Sequence, residues 1–345
     1  MIRTPVRHPA LQTPPTADSE RTASGDRGTH GPSLSILCVN WNSLCYLRAC
    51  IGTIYQNAPH IPFEIVVVDN ASPEGGIDTL QELYPDIRLI KSDRNLGFAG
   101  ANNLGFQYCS GDYVLLLNPD TEIIGGALDL MLDQLRNNPD AGIVGCKLLN
   151  SDMTVSTTSI QRFPTITNQI LTVERLRVRF PDLSLWSIGP LFRPVQGAIR
   201  VDVIPGACMM LKRAVFEKVG LLSEDYFMYA EDIDLNYKVR KLGLRSYYVG
   251  AAEVVHHGGK SSTQQPASQW STIMVHRAMV RYFRKSRGVG YSVVYRIAIG
   301  CAACFRLLIL AAMLVLGGRK NFRCAASKWS HVLRWSLGFD SLRVS

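Results

Sequence analysis

The chain lacks acidic side chains towards its C-terminus: residues 281–345 hold twelve Lys or Arg but a single acid, Asp340. The whole protein has 345 residues and a formal net charge of +9, so residues 1–280, with 25 basic and 27 acidic side chains, are close to neutral. A nucleic-acid-binding protein would spread its basic charge over the folded body, and this distribution argues against that class. A basic, apolar segment after a neutral body favours an anionic membrane surface as partner.

The same segment lacks a long charge-free apolar run. Residues 291–316 are strongly apolar, but Arg306 interrupts them and only Leu307–Leu316, ten residues, is free of charge. Spanning a bilayer takes about 20 apolar residues. We therefore predict that residues 288–345 form a basic tail of amphipathic and apolar helices, lying at a membrane interface as a helix or helical hairpin. Docking onto the folded body of the protein or onto a homo-oligomer partner is the alternative.

The N-terminal 30 residues lack the apolar core of a signal peptide, and residues 1–32 show no apolar period. Such a segment buries too little to offset its ordering entropy, so we predict a disordered tail and a cytoplasmic protein. The nine cysteines are an odd number, and several lie in apolar strand-like runs, which favours thiols used as core side chains in a reducing compartment. Cys301 and Cys304 have CxxC spacing but lack the second pair of a zinc site.

From residue 33 onward, short apolar strands alternate with helices. Strands are predicted at 34–40, 63–69, 87–91, 113–118, 141–146, 199–204, 207–211 and 245–249, and helices at 43–57, 75–84, 97–110, 125–137 and 231–242. The alternation predicts an α/β domain over residues 33–287, with a mostly parallel, Rossmann-like central sheet and helices on both faces. It lapses at 150–197, which we interpret as an acceptor-site insertion or as an excursion without a fixed role.

Polar side chains follow the first two predicted strands at their carboxyl ends, where open parallel sheets bind ligands. Asn40 ends the first strand, and Asp69 and Asn70 end the second. A carboxylate in such a place can accept hydrogen bonds from a nucleobase or from ribose hydroxyls. It can equally cap a turn, and the residues alone leave both interpretations open.

A Gly- and Asn-rich passage, residues 93–105, leads from the third predicted strand into a helix. Its glycines permit close backbone approach, and the helix N-terminus offers N–H donors to an anion. The passage matches neither GxGxxG nor GxxxxGK[ST], which argues against a nicotinamide dehydrogenase and a P-loop enzyme. Structural packing is the alternative explanation for these glycines.

Two acidic sites lie about a hundred residues apart. Asp120, just after a predicted strand, can bind Mg²⁺ or Mn²⁺ together with a diphosphate, or it can be an ordinary turn acid. Glu231, Asp232 and Asp234 begin a predicted helix, whose dipole would keep Asp232 ionised and able to accept a proton. Such acids can also serve only to complement the dipole. One of the adjacent histidines at 256 and 257 could join the metal site or be structural.

In this order the motifs resemble those of the inverting nucleotide-sugar glycosyltransferases of family 2, which have the GT-A fold, and especially their bacterial rhamnosyltransferase branch. The resemblance covers about residues 33–290. Its carriers are Val67–Ser72, Asn95–Gly105, Leu116–Glu122, Gly206–Leu211 and Phe227–Leu235, with His256, Gly259 and Ser261 after them.

The resemblance implies a role for each matching residue. Asp232 would be the base that deprotonates the acceptor hydroxyl, and Asp69 the acid that binds the nucleoside. Asp120 and His256 would hold Mg²⁺ or Mn²⁺ on the donor diphosphate. Asn118 stands where the family has the first acid of its DxD motif, as in the rhamnosyl branch, so a tight metal requirement is not implied.

The resemblance also implies substrates and further contacts. The reaction would transfer L-rhamnose from dTDP-rhamnose to a hydroxyl of a glycan, presumed lipid-linked, in cell-surface polysaccharide biosynthesis at the inner face of the plasma membrane. Residues expected to bind the donor are Asn40, Asp69, Asn70, Arg94, Asn95, Gly97, Asn102 and Asn118, and those expected to support the acceptor site are Glu231 and Asp234.

Other classes fit the residues less well. A nucleotidyltransferase would carry a Gly-rich, basic loop after the first strand, where this chain has Asn40-Trp-Asn42. A processive synthase would carry QxxRW soon after the base, but the nearest string, His331–Trp335, lies about a hundred residues later and lacks Gln. Two alternatives remain: a transferase of the same fold that uses a UDP- or GDP-sugar, and a non-catalytic nucleotide-sugar-binding protein.

Overall fold

The computed structural model describes residues 33–171, 174–258, 269–315 and 322–339. The predicted disordered tail, residues 1–32, lies outside these ranges, as do Gly259 and Ser261 of the motif around His256. Strands and helices follow each other along the described residues much as the apolar pattern predicts.

The strands are β1 Leu34–Asn40, β2 Phe63–Asp69, β3 Arg88–Lys91, β4 Tyr113–Leu117, β5 Thr121–Ile124, β6 Ala141–Leu149, β7 Ala198–Val201, β8 Cys208–Lys212 and β9 Arg245–His256. The helices are α1 Leu44–Gln56, α2 Thr79–Leu83, α3 Gly97–Phe106, α4 Ala127–Asn137, α5 Ile166–Leu171, α6 Glu174–Arg179, α7 Arg213–Lys218, α8 Glu231–Lys241, α9 Gln269–Arg287, α10 Val289–Val315 and α11 Phe322–Ser336.

All the described strands join one sheet in the order β3-β2-β1-β4-β8-β6-β9-β5, with β7 also paired to β9. The block β3-β2-β1-β4 is parallel, and β6 is parallel to β9. β8 enters between β4 and β6 in the antiparallel sense, and β5 and β7 pair antiparallel with opposite halves of β9. The predicted α/β architecture is confirmed.

β9 differs most from the sequence prediction. It was expected to end at 249 but continues to His256, and its second half pairs with β5, a strand that the sequence pattern did not predict. The segment Gly250–Glu253 contains small and polar residues that hide the strand pattern. Only the neighbouring strands β6 and β5 reveal that its backbone groups are paired.

Side chains alternate along the strands and fill a core on each face of the sheet. In β1, Ile36 and Cys38 point to one face, where α1 and α4 pack, whereas Leu37 and Val39 point to the other, where α3 and α8 pack. Five of the nine thiols are buried and all nine are free, as expected for cysteines used as core residues. Helices therefore cover both faces and leave the strand ends open to ligands.

A third core joins the C-terminal helices to α8 and the turn before it. Tyr226, Ala230 and Ile233 pack there with residues of the three last helices. The residues contributed by those helices are Ile273, Ala278, Met279, Tyr282, Phe283, Tyr295, Ile299, Ala303, Val332 and Trp335. By packing, α9–α11 form one layer, and Trp335 of the string at 331–335 is buried within it rather than exposed on a free tail.

α10 is a single uninterrupted helix of 27 residues. Its stretch Val289–Leu314 has a mean hydropathy of 2.4 and is the one candidate span among the described helices, judged by length and composition. The two arginines that interrupt its apolar sequence bind neighbouring protein: Arg296 donates to the carbonyl oxygen of Trp335 at 2.8 Å, and Arg306 to that of Ile170 at 2.6 Å. Arg306 interrupts the charge-free run in the sequence but does not interrupt the helix.

Candidate active site

The candidate residues follow strand ends that meet along one rim of the sheet. Asn40 and Asp69 are direct partners at the carboxyl ends of β1 and β2, and β4 ends beside them. Because β8 is antiparallel to β4, it begins at this rim, where Asn118 donates its N–H to the carbonyl oxygen of Ala207 at 2.9 Å. β9 ends there too, with His256 paired to Thr121.

At the first part of the rim, Asn40 orients Asp69. The fully buried Asn40 donates from Nδ2 to Asp69 Oδ1 at 2.9 Å and to Ser72 Oγ at 3.0 Å, and its Oδ1 accepts from Ser43 Oγ at 3.2 Å. The amide of Asn40 is therefore bonded to protein groups and orients the carboxylate of Asp69.

Asn70 clamps the loop that leads into α3. Its Nδ2 donates to Asn95 Oδ1 at 3.0 Å and its Oδ1 accepts the N–H of Leu96 at 2.8 Å. Asn95 also accepts the N–H of Gly97 at 2.9 Å, so the first turn of α3 is fixed by side chains. The side chain of Arg94 beside this loop is exposed.

Gly97 is required by the protein itself. Its φ is +71°, and a Cβ added there would lie 2.3 Å from the carbonyl oxygen of Phe227. The same oxygen accepts the N–H of Phe98 at 3.1 Å, and Phe98 in turn accepts from Asn102 Nδ2 at 2.8 Å. The packing alternative for these glycines is therefore observed, and one of the helix N–H groups expected to meet an anion is already bonded.

Three polar side chains converge at the end of β4. His256 Nε2 lies 3.3 Å from Asp120 Oδ1 and 3.3 Å from Asn118 Nδ2. Asp120 is 2% exposed, and its carbonyl oxygen accepts the N–H of His257 at 2.9 Å. The residues alone left open which histidine joins this cluster, and the resemblance implies His256; the ring of His256 is the one that lies beside the Asp120 carboxylate.

His257 faces the opposite side of the strand. Its Nε2 lies 2.8 Å from Glu122 Oε1 and its Nδ1 lies 2.8 Å from Ser151 Oγ. Both ring nitrogens are thus engaged by protein groups that are not part of the Asp120 cluster.

The Asp120 cluster fits a metal ion only as a partial site. The described residues contain no group of three or more His, Cys, Asp or Glu side chains able to hold an ion. Mg²⁺ takes six ligands and is often bound by one or two carboxylates together with substrate phosphates. Asp120 and His256 fit that arrangement, in which a diphosphate and water would complete the coordination.

α8 begins directly after a strained turn. Tyr229 and Ala230 have φ of +71° and +66°, a left-handed conformation that is costly for side chains other than glycine. The turn brings the half-buried Asp232 against the start of β8, where its Oδ2 accepts the N–H of Gly206 at 3.1 Å. Since the next residue, Ala207, bonds to Asn118, Asp232 and the Asp120 cluster share the rim.

Burial raises the pKa of Asp232, while the N–H groups of Gly206 and Ile233 act in the opposite direction. The sequence argument expected the helix dipole to keep this carboxylate ionised, and the net direction of its pKa shift is the reverse. Burial, followed by the charge of Asp232, raises the pKa of Glu231 to about 8. A raised pKa makes a carboxylate a stronger proton acceptor once it is ionised.

Asp234, grouped with Glu231 as acceptor support, is held by protein hydroxyls. Its Oδ2 accepts from Ser223 at 2.5 Å and its Oδ1 from Tyr226 at 3.4 Å. It ties the segment before the strained turn to α8. Its neighbour Glu231, by contrast, is 7% exposed and its Oε2 has no hydrogen-bond partner among the residues that the structure describes.

Sequence reasoning missed Asn236, which positions the first turn of α8 and with it Asp232. Its Nδ2 donates to the carbonyl oxygens of Ile204 and Asp232, both at 2.8 Å, and its Oδ1 accepts the N–H of Ile204 at 3.1 Å. It thereby pins α8 to the chain entering β8. The signal available was its spacing of four residues from Asp232, which puts both on one side of a helix.

Comparison with known proteins places the chain in a family. Residues 35–220 match the family model described as Glycosyl transferase family 2. The chain is 29% identical over 266 residues to the N-acetylglucosaminyl-diphospho-decaprenol L-rhamnosyltransferase of Mycobacterium tuberculosis, covering 70% of this chain and 85% of that protein. It is 25% identical over 257 residues to the rhamnosyltransferase WbbL of Escherichia coli, covering 71% and 92%.

The fold is shared with solved transferases. The mannosyltransferase PcManGT from Pyrobaculum calidifontis, in complex with GDP-Man and Mn²⁺, aligns with a TM-score of 0.53 at 18% identity, covering 90% of this chain and 87% of that one. This likeness and the family match confirm the predicted GT-A fold and enzyme class. The chain belongs to glycosyl transferase family 2, and it is a glycosyltransferase.

Proposed function

We propose that this glycosyltransferase transfers L-rhamnose from dTDP-rhamnose to a hydroxyl of a lipid-linked glycan, in cell-surface polysaccharide biosynthesis. The observation that carries the proposal is the carboxylate of Asp232, held by the N–H of Gly206 on the same rim as Asp120 and His256. The choice of rhamnose is supported by the names of relatives from Mycobacterium tuberculosis and Escherichia coli. A UDP- or GDP-sugar donor is the second candidate, favoured by the structural likeness to a GDP-Man enzyme.

The proposed reaction is a single displacement with inversion. The acceptor oxygen attacks the anomeric carbon while the bond from that carbon to the diphosphate oxygen breaks. The acceptor's proton passes to Asp232, and the nucleotide diphosphate leaves with the bonding electron pair. Because the pKa of Asp232 is raised, its ionised form is a better proton acceptor than an exposed aspartate.

Donor binding is proposed along β1, β2 and the start of α3. Asp69, oriented by Asn40, accepts hydrogen bonds from the nucleobase or ribose. Arg94 supplies a positive charge near the diphosphate, and Asn95 borders the same opening. Gly97 and Asn102 support this wall of the site from within α3, through the contacts of its first turn.

Mg²⁺ or Mn²⁺ would be held by Asp120 and His256, with Asn118 beside them. Such an ion supplies positive charge that stabilises the departing diphosphate. The Mn²⁺ in the solved mannosyltransferase supports this cofactor. Since the protein offers a single carboxylate here, the chain's own affinity for metal is expected to be low without the nucleotide.

We also propose that the enzyme binds the inner face of the plasma membrane through α10 and α11. The outer face of α10 exposes Ile297, Phe305 and Leu308 by 61%, 65% and 65%. An apolar face flanked by basic residues suits the interface of an anionic bilayer. A lipid-linked acceptor would then be within reach of the rim, in keeping with the decaprenol named for the Mycobacterium tuberculosis relative.

Membrane binding is tested with native thiols. Cys301 and Cys304 are exposed on α10, and Cys45 is exposed on α1. Anionic vesicles should protect the first two from a maleimide reagent and leave Cys45 reactive, and Phe305→Glu should weaken protection. Equal labelling of all three in the presence of vesicles would reject the proposal, and protection by concentrated protein alone would indicate a homo-oligomer.

The transfer itself is tested with a panel of nucleotide-sugars. The purified protein is incubated with dTDP-rhamnose, UDP-sugars or GDP-sugars, an N-acetylglucosaminyl-diphospho-lipid acceptor and Mn²⁺. We expect release of dTDP and a rhamnosylated product of inverted anomeric configuration. Release of UDP or GDP instead would assign the second candidate donor. Thermal stabilisation by a nucleotide-sugar without any release of diphosphate would reject catalysis and leave a binding protein.

A further inference from the structure

Glu231 is a buried acid that the proposed reaction does not use. It is the first residue of α8 and is 7% exposed, with no hydrogen-bond partner for Oε2 among the described residues. Burying a polar group without a partner is costly, and natural proteins rarely leave one unsatisfied. A ligand hydroxyl is one of the few groups that could complete this carboxyl group.

The surrounding structure holds Glu231 in place at a cost. Tyr229 and Ala230, immediately before it, are both left-handed, and such strain persists only where packing over-determines it. That packing is supplied by the C-terminal layer, in which Ala230 is buried against residues that include Phe283. Two costly features at successive residues point to a site rather than to a simple helix start.

Glu231 stands at the end of α8 that lies near the start of α3. A Cβ added at Gly206 would lie 3.5 Å from Cβ of Asp232 and 3.4 Å from the ring of Phe98, so the first turns of α8 and α3 both reach Gly206. Asp232 also accepts the N–H of Gly206, and Glu231 precedes it in the chain. A sugar bound between Asp232 and the start of α3 would therefore lie beside Glu231.

We propose that Glu231 binds a sugar hydroxyl of the substrates as a neutral carboxylic acid, and so acts as a positioning and specificity residue beside Asp232. The proposal rests on the function proposed above. Its O–H donates to the substrate oxygen or its carbonyl oxygen accepts from the substrate hydroxyl. Keeping the proton of the Glu231–Asp232 pair on Glu231 leaves Asp232 ionised, because two adjacent buried carboxyl groups do not readily ionise together.

The charged groups around Glu231 are consistent with a proton on Glu231 and a negative charge on Asp232. The pKa of Glu231 is raised by its burial and by Asp232, and Glu231 in turn contributes to the raised pKa of Tyr229. Of the other charged groups nearby, Asp234, Asp225 and Arg281 act on Tyr226, and Lys285 acts on Asp225. The titration of Glu231 therefore depends mainly on Asp232.

The experiment compares Glu231→Gln with Glu231→Ala, measuring kcat and KM for donor and acceptor from pH 6 to pH 10. Gln keeps a neutral hydrogen-bonding group, so kcat/KM at pH 7 should fall by less than about tenfold, whereas Ala should lose about a hundredfold. In the wild type, kcat/KM should decline as the pH rises through about 8, where Glu231 ionises. That decline should vanish in Glu231→Gln.

The two KM values identify which sugar is bound. A larger rise in KM for the nucleotide-sugar assigns the hydroxyl to the donor, and a larger rise for the lipid-linked glycan assigns it to the acceptor. Glu82→Ala makes the same chemical change at an exposed position of α2 and should leave all three parameters unchanged. If Glu231→Ala does not fold, as judged by circular dichroism, the pH profile of Glu231→Gln decides alone.

Three results would overturn the inference. Glu231→Gln as inactive as Glu231→Ala would mean that a neutral group is not what the site needs. An unchanged alkaline decline in Glu231→Gln would assign that decline to another group. Wild-type kinetics in Glu231→Ala would make Glu231 purely structural. Failure of the proposed function is distinguished by Asp232→Asn: an active Asp232→Asn enzyme rejects Asp232 as base, whatever Glu231 does.

Discussion

The rim of the sheet has two parts that satisfy their polar groups in opposite ways. At β1, β2 and α3 the side chains bind each other: Asn40 holds Asp69, and Asn70 holds the loop into α3. At the start of α8, Tyr229 and Ala230 are strained and Glu231 lacks a partner for one oxygen among the described residues. The first part is braced by its own hydrogen bonds before any ligand arrives and holds Asp69, the proposed donor-binding acid, in place, whereas the second has hydrogen-bonding capacity that only a substrate would use. We expect mutations of the bracing residues in the first part to act on stability and those in the second to act on turnover.

The largest expected effect is that of Asp232→Asn. Removing a general base lowers the rate by about a thousandfold, because nothing else accepts the acceptor's proton. Donor affinity, measured by calorimetry, should change little, since the donor contacts lie on the other part of the rim. Loss of donor affinity with turnover retained would reject Asp232 as the base.

Asp234→Asn is the matched control for that variant. Asp234 is also an aspartate and lies two residues away, but its oxygens accept from Ser223 and Tyr226. Its replacement should lower the free energy of unfolding by about 1 kcal/mol and reduce the rate per folded molecule far less than Asp232→Asn does. Equal rate losses in the two variants would erase the contrast between a catalytic and a structural acid on α8.

The second effect concerns stability and pH at Glu231. The pKa of this carboxyl group is about 4.5 in the unfolded chain and about 8 in the fold, so between these values the folded state binds the extra proton. The free energy of unfolding of the wild type therefore falls as the pH rises through this window, and Glu231→Gln does not titrate. The difference in the free energy of unfolding between Glu231→Gln and the wild type should shift in favour of the variant by on the order of 3 kcal/mol from pH 5 to pH 9. Parallel curves from urea unfolding at each pH would contradict a raised pKa.

The third effect tests the satisfied part of the rim. Asn70→Ala removes the groups that bind Asn95 and Leu96, and should lower the free energy of unfolding by about 2 kcal/mol. Asn137→Ala, at an exposed position of α4, is the control and should change stability by less than about 0.5 kcal/mol. A rate loss in Asn70→Ala without any loss of stability would instead indicate a direct donor contact.

The smallest effect is expected at the proposed metal pair. Asp120→Ala should weaken binding of dTDP in the presence of Mn²⁺ by about tenfold, because the protein supplies few of the ion's ligands. His256→Gln should act in the same direction, whereas His257→Gln should not, because His257 binds Glu122 and Ser151. Calorimetric affinities that do not depend on Mn²⁺ in any of these proteins would count against a metal site.

The strand ends could be predicted from the sequence because their position depends on little else. Continuous apolar runs identify β1, β2 and β4, and parallel strands bring their carboxyl ends to one edge, so Asn40, Asp69 and Asn118 meet there whatever the loops do. The nearness of Asp232 required more, since it depends on the antiparallel entry of β8 and on the contact with Gly206. From the sequence, only the family resemblance indicated that Asp232 lies near the Asp120 cluster.

What could not be predicted depends on the register and direction of side chains. The residues alone did not separate His256 from His257, and only the resemblance named His256; the geometry depends on β9, whose second half hides its strand pattern in small residues. The need for Gly97 arises from the carbonyl oxygen of Phe227, about 130 residues later in the chain. The continuity of α10 depends on carbonyl oxygens that accept from Arg296 and Arg306. Each requires a tertiary neighbour that no local pattern reveals.

The shared core between α8 and the last helices makes the C-terminal segment more than an anchor. Tyr226 and Ala230 belong to the same core as side chains from α9–α11, so these helices support the turn that positions Asp232. Truncating the chain at 288 to obtain a soluble enzyme would remove the α10 and α11 residues of this core. We therefore expect a protein without this segment to be inactive even when it is soluble, so changing only the outer surface of α10 is the way to separate anchoring from catalysis.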